Sequence, residues 1–331
     1  MIWLWVAFLA LIFVLLALDL GLFHRRLHAI SIREAGVWTA VWVALALVFN
    51  VCVYLLYQHH VFGIGQVIGH PIGGGEAALD FFTGYLIEKS LSLDNIFVIA
   101  LIFTYFRIPV AYQHRVLFWG IVGAVIFRGV MILLGAALIA RFEWVTYVFG
   151  AILIGTAVKL LVTRGDSVHP DRNLFVRLAR RMYPVSQEMD GPRFFTLQNG
   201  QRAVTPVFIA MLVVESSDVM FAVDSIPAIF AITRDPFIVF TSNIFAILGL
   251  RSLYFVLAGM LDRFRFMKFS LVVLLAFIGV KMLLAEWYHI PTPISLGAVC
   301  AILAAGVIVS LLRSGTPAAA PSATSPPDRS Q

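Results

Sequence analysis

The stretch from 205 to 232, TPVFIAMLVVESSDVMFAVDSIPAIFAI, constrains this chain more than any other, because it is long enough to cross a bilayer yet carries Glu215, Asp218 and Asp224. A spanning helix takes about 20 mostly apolar residues, and each carboxylate near its centre costs on the order of 2.5–3.5 kcal/mol. Three acids therefore cost roughly 8–10 kcal/mol. The eleven Val, Ile, Leu and Phe residues between Phe208 and Phe230 return only about 0.3–0.6 kcal/mol each, or roughly 3–7 in total. Such a helix does not stand alone in lipid. Its acids need a proton, an arginine from a neighbouring helix or a metal ion, and carboxylates at this depth face a bundle interior or a water-filled path.

The remainder of the chain supplies that bundle. With 61% hydrophobic and 13% charged residues over 331 positions and a mean hydropathy of +0.94, the expected class is an all-α polytopic membrane protein. The net charge of +6 does not point to nucleic acid, because the basic residues sit between apolar runs, where they orient helices. Cys52 and Cys300 lie singly in apolar segments and imply neither a disulfide framework nor a zinc site. No HExxH, GxSxG or nucleophile–base pairing is present, so no enzyme is expected. The first 23 residues lack a basic n-region and an Ala-x-Ala cleavage signal and read as a first spanning helix.

Apolar runs of spanning length fall at about 2–23, 37–57, 77–106, 116–140, 144–162, 204–232, 237–260, 269–286 and 294–312, predicting nine helices within a membrane domain of residues 1–313. Arg25, Arg26 and Arg33 follow the first run, Arg107 and Arg115 the third, seven arginines from Arg164 to Arg202 the fifth, Arg263, Arg265 and Lys268 the seventh, and Arg313 the ninth. All these loops fall on one side, so the positive-inside rule places the N-terminus outside and the C-terminus in the cytoplasm. The basic segment 164–203 contains a short amphipathic piece, Asn173 to Met182, expected on the cytoplasmic surface. Residues 70–75, HPIGGG, read as a flexible turn, and the Pro-, Ala- and Ser-rich residues 314–331 as a disordered tail.

The third run carries acids of its own, in EKSLSLDNI from Glu88 to Ile96. Sliding the sequence by 130 positions sets Glu88 on Asp218, Asp94 on Asp224, Asn95 on Ser225 and Ile96 on Ile226. The correspondence continues with Arg107 on Arg234, Pro109 on Pro236, Arg128 on Arg251 and Lys159 on Lys281, at offsets drifting from 127 to 122. Polar letters recurring in order inside apolar helices indicate a duplication of 77–162 by 204–286. Three spans per unit is an odd number, so the copies enter the membrane from opposite sides, and such transporters bind substrate near the midplane between the repeats.

Helical geometry groups Glu215, Asp218 and Ser225 on one face and Glu88, Ser92 and Asn95 on another; Asp94 and Asp224 lie aside. Pro227 leaves the Val223 carbonyl without a donor and permits a kink that would bring Asp224 in. Glu88, Asp94, Asn95, Glu215, Asp218, Asp224 and Ser225 are the candidate metal ligands. Carboxylate, amide and hydroxyl oxygens suit a hard divalent cation such as manganese, calcium or magnesium, and Met220 would add one soft ligand. Arg128 and Arg251, with Lys89 as a third cation, leave the five acids with an excess of two to three negative charges, which a divalent cation or protons would close. Structural ion pairing alone and a proton relay are the alternatives. Asp19, Asp80, Lys159 and Lys281, nearer helix ends, are expected to snorkel or pair, with Asp80 kept as a ligand on the access path.

The blocks EKSLSLDNIFVIALIF, HRVLFWGIVGAVIFRG, VVESSDVMFAVDSIPAIFAIT, FTSNIFAILGLRSLYF and IGVKMLL resemble the TerC/Alx family of integral membrane proteins, over about residues 15–312. The resemblance implies a bundle related to the LysE-type exporters and a role in metal homeostasis, chiefly efflux of Mn²⁺ from the cytoplasm across a bacterial inner membrane. It also carries an association with tellurium resistance and, for some members, alkaline induction. Glu88, Asp94 and Asn95 match the first acidic motif of the family, and Glu215, Asp218, Asp224 and Ser225 the second. No prosthetic group is implied; Mn²⁺ is the transported or bound ion. The competing expectation is a non-transporting membrane scaffold whose acids only set helix packing.

Overall fold

The computed structural model describes residues 2–23, 31–66, 71–162, 173–186, 189–198, 200–257, 267–285, 287–288 and 290–313. Within them the chain is helical almost throughout: α1 (Ile2–Phe23), α2 (Ile32–Gln58), α3 (Gly74–Tyr105), α4 (Val110–Arg141), α5 (Val145–Val162), α6 (Leu174–Met182), α7 (Pro206–Phe230), α8 (Pro236–Ile247), α9 (Leu250–Leu257), α10 (Met267–Leu284) and α11 (Thr292–Arg313), with one hairpin, β1 (Phe195–Gln198) and β2 (Gln201–Val204). Each of the nine apolar runs falls on a helix, the seventh divided between α8 and α9. By length and composition five helices suffice to cross a bilayer, α2, α4, α5, α7 and α11, or six if α8 and α9, bent by 41°, form one span. At 32 residues α3 is as long as α4, but its middle holds Glu88, Lys89 and Asp94. Lipid-facing surface is evident where Ile126, Val130, Leu133, Leu134 and Leu138 stand exposed along α4. In water such a row would be an aggregation hazard, and in a bilayer it is solvated.

Helix starts follow capping chemistry. Thr205 caps α7 and Asp235 caps α8, each followed by a proline at the first helical position, where a missing N–H costs nothing. Asp235 accepts from the Phe237 amide at 2.8 Å and from the Tyr57 hydroxyl at 2.6 Å, which ties α2 to the start of α8. Beside it, Trp5, Phe8, Phe49, Phe81, Phe237, Phe240 and Phe245 pack ring against ring and fill that end of the bundle. The anticipated kink at Pro227 does not interrupt α7, which continues to Phe230. The break comes instead at Leu248-Gly249, where Gly249 adopts φ +78 and a Cβ would lie 2.6 Å from the Trp42 ring. A left-handed φ and that close approach both require glycine.

In the bundle α3 packs on α8, α4 on α7 and α5 on α10, while α2 covers α3 and α9. The glycines at 73–75, expected as a loose turn, cap and begin α3, and a Cβ on Gly74 would sit 2.5 Å from the Tyr54 carbonyl of α2. The amphipathic piece near 173 is helical, as expected, but does not lie flat on a surface. Its first residue bonds Ser216, well inside α7, while Val185 beyond its C-terminus bridges Val204, just before α7. Helix α6 therefore runs back along α7, burying Val176 and Ala179. The hairpin was not anticipated; the Asn199-Gly200 dipeptide was its signal, with Gly200 at φ +77. The expected tail, residues 314–331, lies outside the described residues.

Helices α5 and α10 cross at two glycines. A Cβ on Gly279 would lie 3.0 Å from the Gly150 carbonyl and 2.8 Å from Ile154, whereas one on Gly155 would meet nothing within 4 Å. Gly279→Val is expected to destabilise the protein by about 1–3 kcal/mol, the usual overpacking range, and Gly155→Ala to leave it unchanged. Thermal unfolding of the two variants in detergent checks this.

Candidate functional site

The buried centre of the bundle is organised on one guanidinium. Arg128 of α4 is 0% exposed and donates to Glu88 of α3, itself 1% exposed. It also donates to Asp218 of α7 through Nη2 at 2.8 Å and Nε at 3.1 Å, and to Asn243 Oδ1 of α8 at 3.2 Å and Ser225 Oγ at 3.4 Å. Neutral donors carry the rest of the negative charge: Asn243 Nδ2 reaches Glu88 at 3.0 Å and Asn95 Nδ2 reaches Asp218 at 3.5 Å. Two carboxylates share one cation and two amides here, the satisfied arrangement that buried charge requires.

Beside this cluster lies a cavity of about 570 Å³. Glu88, Asp94, Asn95, Asp224 and Ser225 line it, with Arg128, Thr156 and Lys159. Its walls continue through Leu101 and Ile102 near the end of α3, Leu160 near the end of α5, Val213 on the first half of α7 and Leu271 at the start of α10. It therefore extends toward the end of the bundle that bears the basic segment, and Asn173 and Leu174 of α6 complete its wall. Asp224 reaches the cavity without a break in α7, its Oδ1 accepting from Thr156 of α5 at 2.7 Å.

The structure thus gathers five of the seven candidate residues on one cavity and distributes the others. Asp218 pairs with Arg128 and lines a small adjoining pocket with Asn95 and Arg251. Glu215 faces α4, where its carboxylate fills the space that a Cβ on Gly123 would occupy. Among the seven candidate residues, two acceptors remain buried without a hydrogen-bond donor, Asn95 Oδ1 and Glu215 Oε2. Among the described residues no three carboxylate, imidazole or thiol groups converge as a ready metal shell. A cation in the cavity would draw on Asp94, Asp224, the Asn95 carbonyl and Ser225. Met220, expected as a soft ligand, also lines the cavity.

Asp80 and Lys281 take the pairing alternative: they are 4% and 6% exposed and attract one another, and Lys281 donates to Ser295 Oγ at 2.8 Å. Lys89 is committed to the Ala246 carbonyl at 3.1 Å, near the end of α8 where the following break removes the helical donor. The Asp19 side chain lies outside the described residues. Asn243, Thr156 and Asn173 were missed. A lone Asn in the apolar run FTSNIFAILG was the available signal for the first, since an amide is retained at such depth only with partners.

A helical membrane bundle that buries a carboxylate–arginine centre beside a cavity with acids in its wall defines the class. The profile of the integral membrane protein TerC family matches residues 73–317, and the chain belongs to that family. It is 49% identical over 311 residues to "Uncharacterized membrane protein STKORF319" of Myxococcus xanthus, covering 94% of this chain and 92% of that one. It is 45% identical over 308 residues to "Putative membrane-bound redox modulator Alx" of Escherichia coli K12, with 93% and 94% covered. A Rickettsia bellii membrane protein is 40% identical over 309 residues, with 93% and 97% covered. No solved structure matches the chain.

Removing one partner of a buried ion pair strands the other charge and costs about 3–5 kcal/mol. Arg128→Gln is therefore expected to destabilise the protein by about that much, and Arg128→Gln combined with Glu88→Gln to recover part of the loss. A double-mutant cycle by denaturant unfolding in detergent measures it; additive losses would mean that the two residues do not interact.

Proposed function

We propose that this protein exports a divalent metal cation, Mn²⁺, from the cytoplasm through the carboxylate cavity by alternating access. The observation that carries the reading is the convergence of Asp94 and Asp224 on one cavity. They come from α3 and α7, at positions 130 residues apart that the internal alignment sets on each other. Glu88 and Asp218, the other aligned pair, meet on Arg128. Glu88 and Asp218 share the arginine, while Asp94 and Asp224 face the cavity with Lys159, beside the Asn95 carbonyl oxygen that lacks a donor.

Helix packing is in keeping with an inverted repeat of α3–α5 and α7–α10 within a nine-span bundle. Exchanging the two units turns the α3–α8 contact into the α7–α4 contact and returns α5–α10 to itself. On the positive-inside rule the cavity extends toward the cytoplasm, and the aromatic cluster around Phe237 and Phe245 lies at the outer end. This is the form expected of a carrier waiting for cargo from inside. Oxygen donors fit manganese, calcium and magnesium alike; manganese is the cation the family resemblance implies. A tellurite oxyanion fits poorly, because the acids lining the cavity repel it.

The scaffold reading draws on one observation, the full engagement of Arg128 by Glu88 and Asp218, which assigns those two acids a packing role. It does not account for Asp94 and Asp224 on a cavity wall. The redox wording in the name of the E. coli relative finds no paired thiols among the described residues, where Cys52 and Cys300 are exposed and unbridged.

Metal flux in proteoliposomes with Mn²⁺, Ca²⁺, Mg²⁺ and Zn²⁺ tests the proposal. Wild type is expected to move Mn²⁺ selectively, and Asp94→Asn and Asp224→Asn to reduce the flux about 10–100-fold or more, since even residues that only orient a ligand are worth that much. Equal flux in folded mutants, or none of any ion in wild type, would return the protein to the scaffold reading.

A further inference from the structure

Helix α6 joins two properties that are rarely found on nine residues. Along one side Leu174, Leu178 and Met182, at spacings of four, are 71%, 56% and 65% exposed. Val176 and Ala179 are turned inward against α7, and Phe175 approaches Phe127 of α4 with ring centroids 6.5 Å apart. The remaining side carries Arg177, Arg180 and Arg181, all exposed, two of them in the last turn. Since α6 starts beside Ser216 and ends beside Val204, its last turn, with Arg180, Arg181 and Met182, lies toward the start of α7 and Leu174 lies deepest along it. An exposed apolar stripe running beside an exposed basic one is complementary to one occupant, a phospholipid with an anionic headgroup.

The same helix touches the candidate site. Asn173 accepts the Phe175 and Val176 amides through Oδ1 at 3.0 and 3.3 Å, and so caps α6. Its Nδ2 donates to Ser216 Oγ at 2.6 Å, between Glu215 and Asp218 in sequence. One side chain therefore both starts α6 and pins it to the acidic helix, while Asn173 and Leu174 form part of the cavity wall. We infer that α6 binds an anionic phospholipid of the leaflet it faces and, through the Asn173–Ser216 bond, couples that lipid to access into the cavity. The lipid site stands on the α6 geometry alone, and the coupling rests on the transport reading above.

The test uses the full chain in phosphatidylcholine nanodiscs, with and without phosphatidylglycerol as a third of the lipid. Amide exchange of 177–182 is expected to slow with phosphatidylglycerol by roughly five-fold for each arginine engaged, in proportion to the attraction of a basic residue to an anionic surface. Protection should weaken as salt is raised. The triple variant Arg177→Gln/Arg180→Gln/Arg181→Gln should lose this response while α7 stays protected. Equal exchange in both lipids would overturn the lipid site. In proteoliposomes of the same two compositions, phosphatidylglycerol should raise the wild-type Mn²⁺ rate, and Ser216→Ala, which removes the pin and leaves the Asn173 cap in place, should abolish that dependence while α6 protection persists. Wild-type flux indifferent to phosphatidylglycerol would overturn the coupling. Absence of flux in both lipids would overturn the exporter reading and leave the exchange result to decide the lipid site.

Discussion

A guanidinium shielded from water holds four helices in register. Arg128 of α4 is shared by Glu88 of α3 and Asp218 of α7, and its remaining hydrogens meet Asn243 of α8 and Ser225. In hydrocarbon the alternative for each of these groups is an unsolvated charge, so the cluster forces α3, α4, α7 and α8 to meet at one depth. The other specific contacts of the bundle are consistent with that meeting point. Gly123 gives Glu215 room against α4, and the break at Gly249 exposes a carbonyl one turn back for Lys89.

The same packing distributes the candidate acids. Of the five, Glu88 and Asp218 share Arg128 and Glu215 is wedged against α4, while Asp94 and Asp224 line the cavity. These are the two that helical periodicity places off the main polar faces. Asp224 meets a third helix there, α5, whose Thr156 donates to it. A residue that looks misplaced on a single helix is well placed between three.

The two ends of the bundle are built from different materials. At one, aromatic rings interlock around the Tyr57–Asp235 bond and Asp80 and Lys281 are sunk among helices. At the other, the cavity runs between helix ends and its wall includes α6, a short segment held by the Asn173–Ser216 bond, the buried Val176 and Ala179 and the Phe175–Phe127 contact. Dense ring packing resists opening, whereas a nine-residue helix with most of its surface exposed has few contacts to lose.

Class, helix positions and the importance of the acids were legible in the residues, because the cost of a carboxylate in lipid depends only on composition and length, and because capping pairs such as Thr205-Pro206 and Asp235-Pro236 are local. The family followed from the acidic motifs themselves. What periodicity does not specify is which neighbour a helix face meets. It grouped Glu215, Asp218 and Ser225 on one face, and all three do turn to α4, but only packing sets Glu215 against Gly123 and the other two on Arg128. It allowed a kink at Pro227, yet the chain bends at Gly249, where the Trp42 ring excludes any side chain. It set α6 on a surface, although Asn173 finds its partner deep on α7. The sequence by itself determined that buried charge had to be compensated inside a helical bundle. Which acids are compensated by arginine and which face the cavity was decided only by tertiary packing, since that depends on contacts between residues 40 to 155 positions apart.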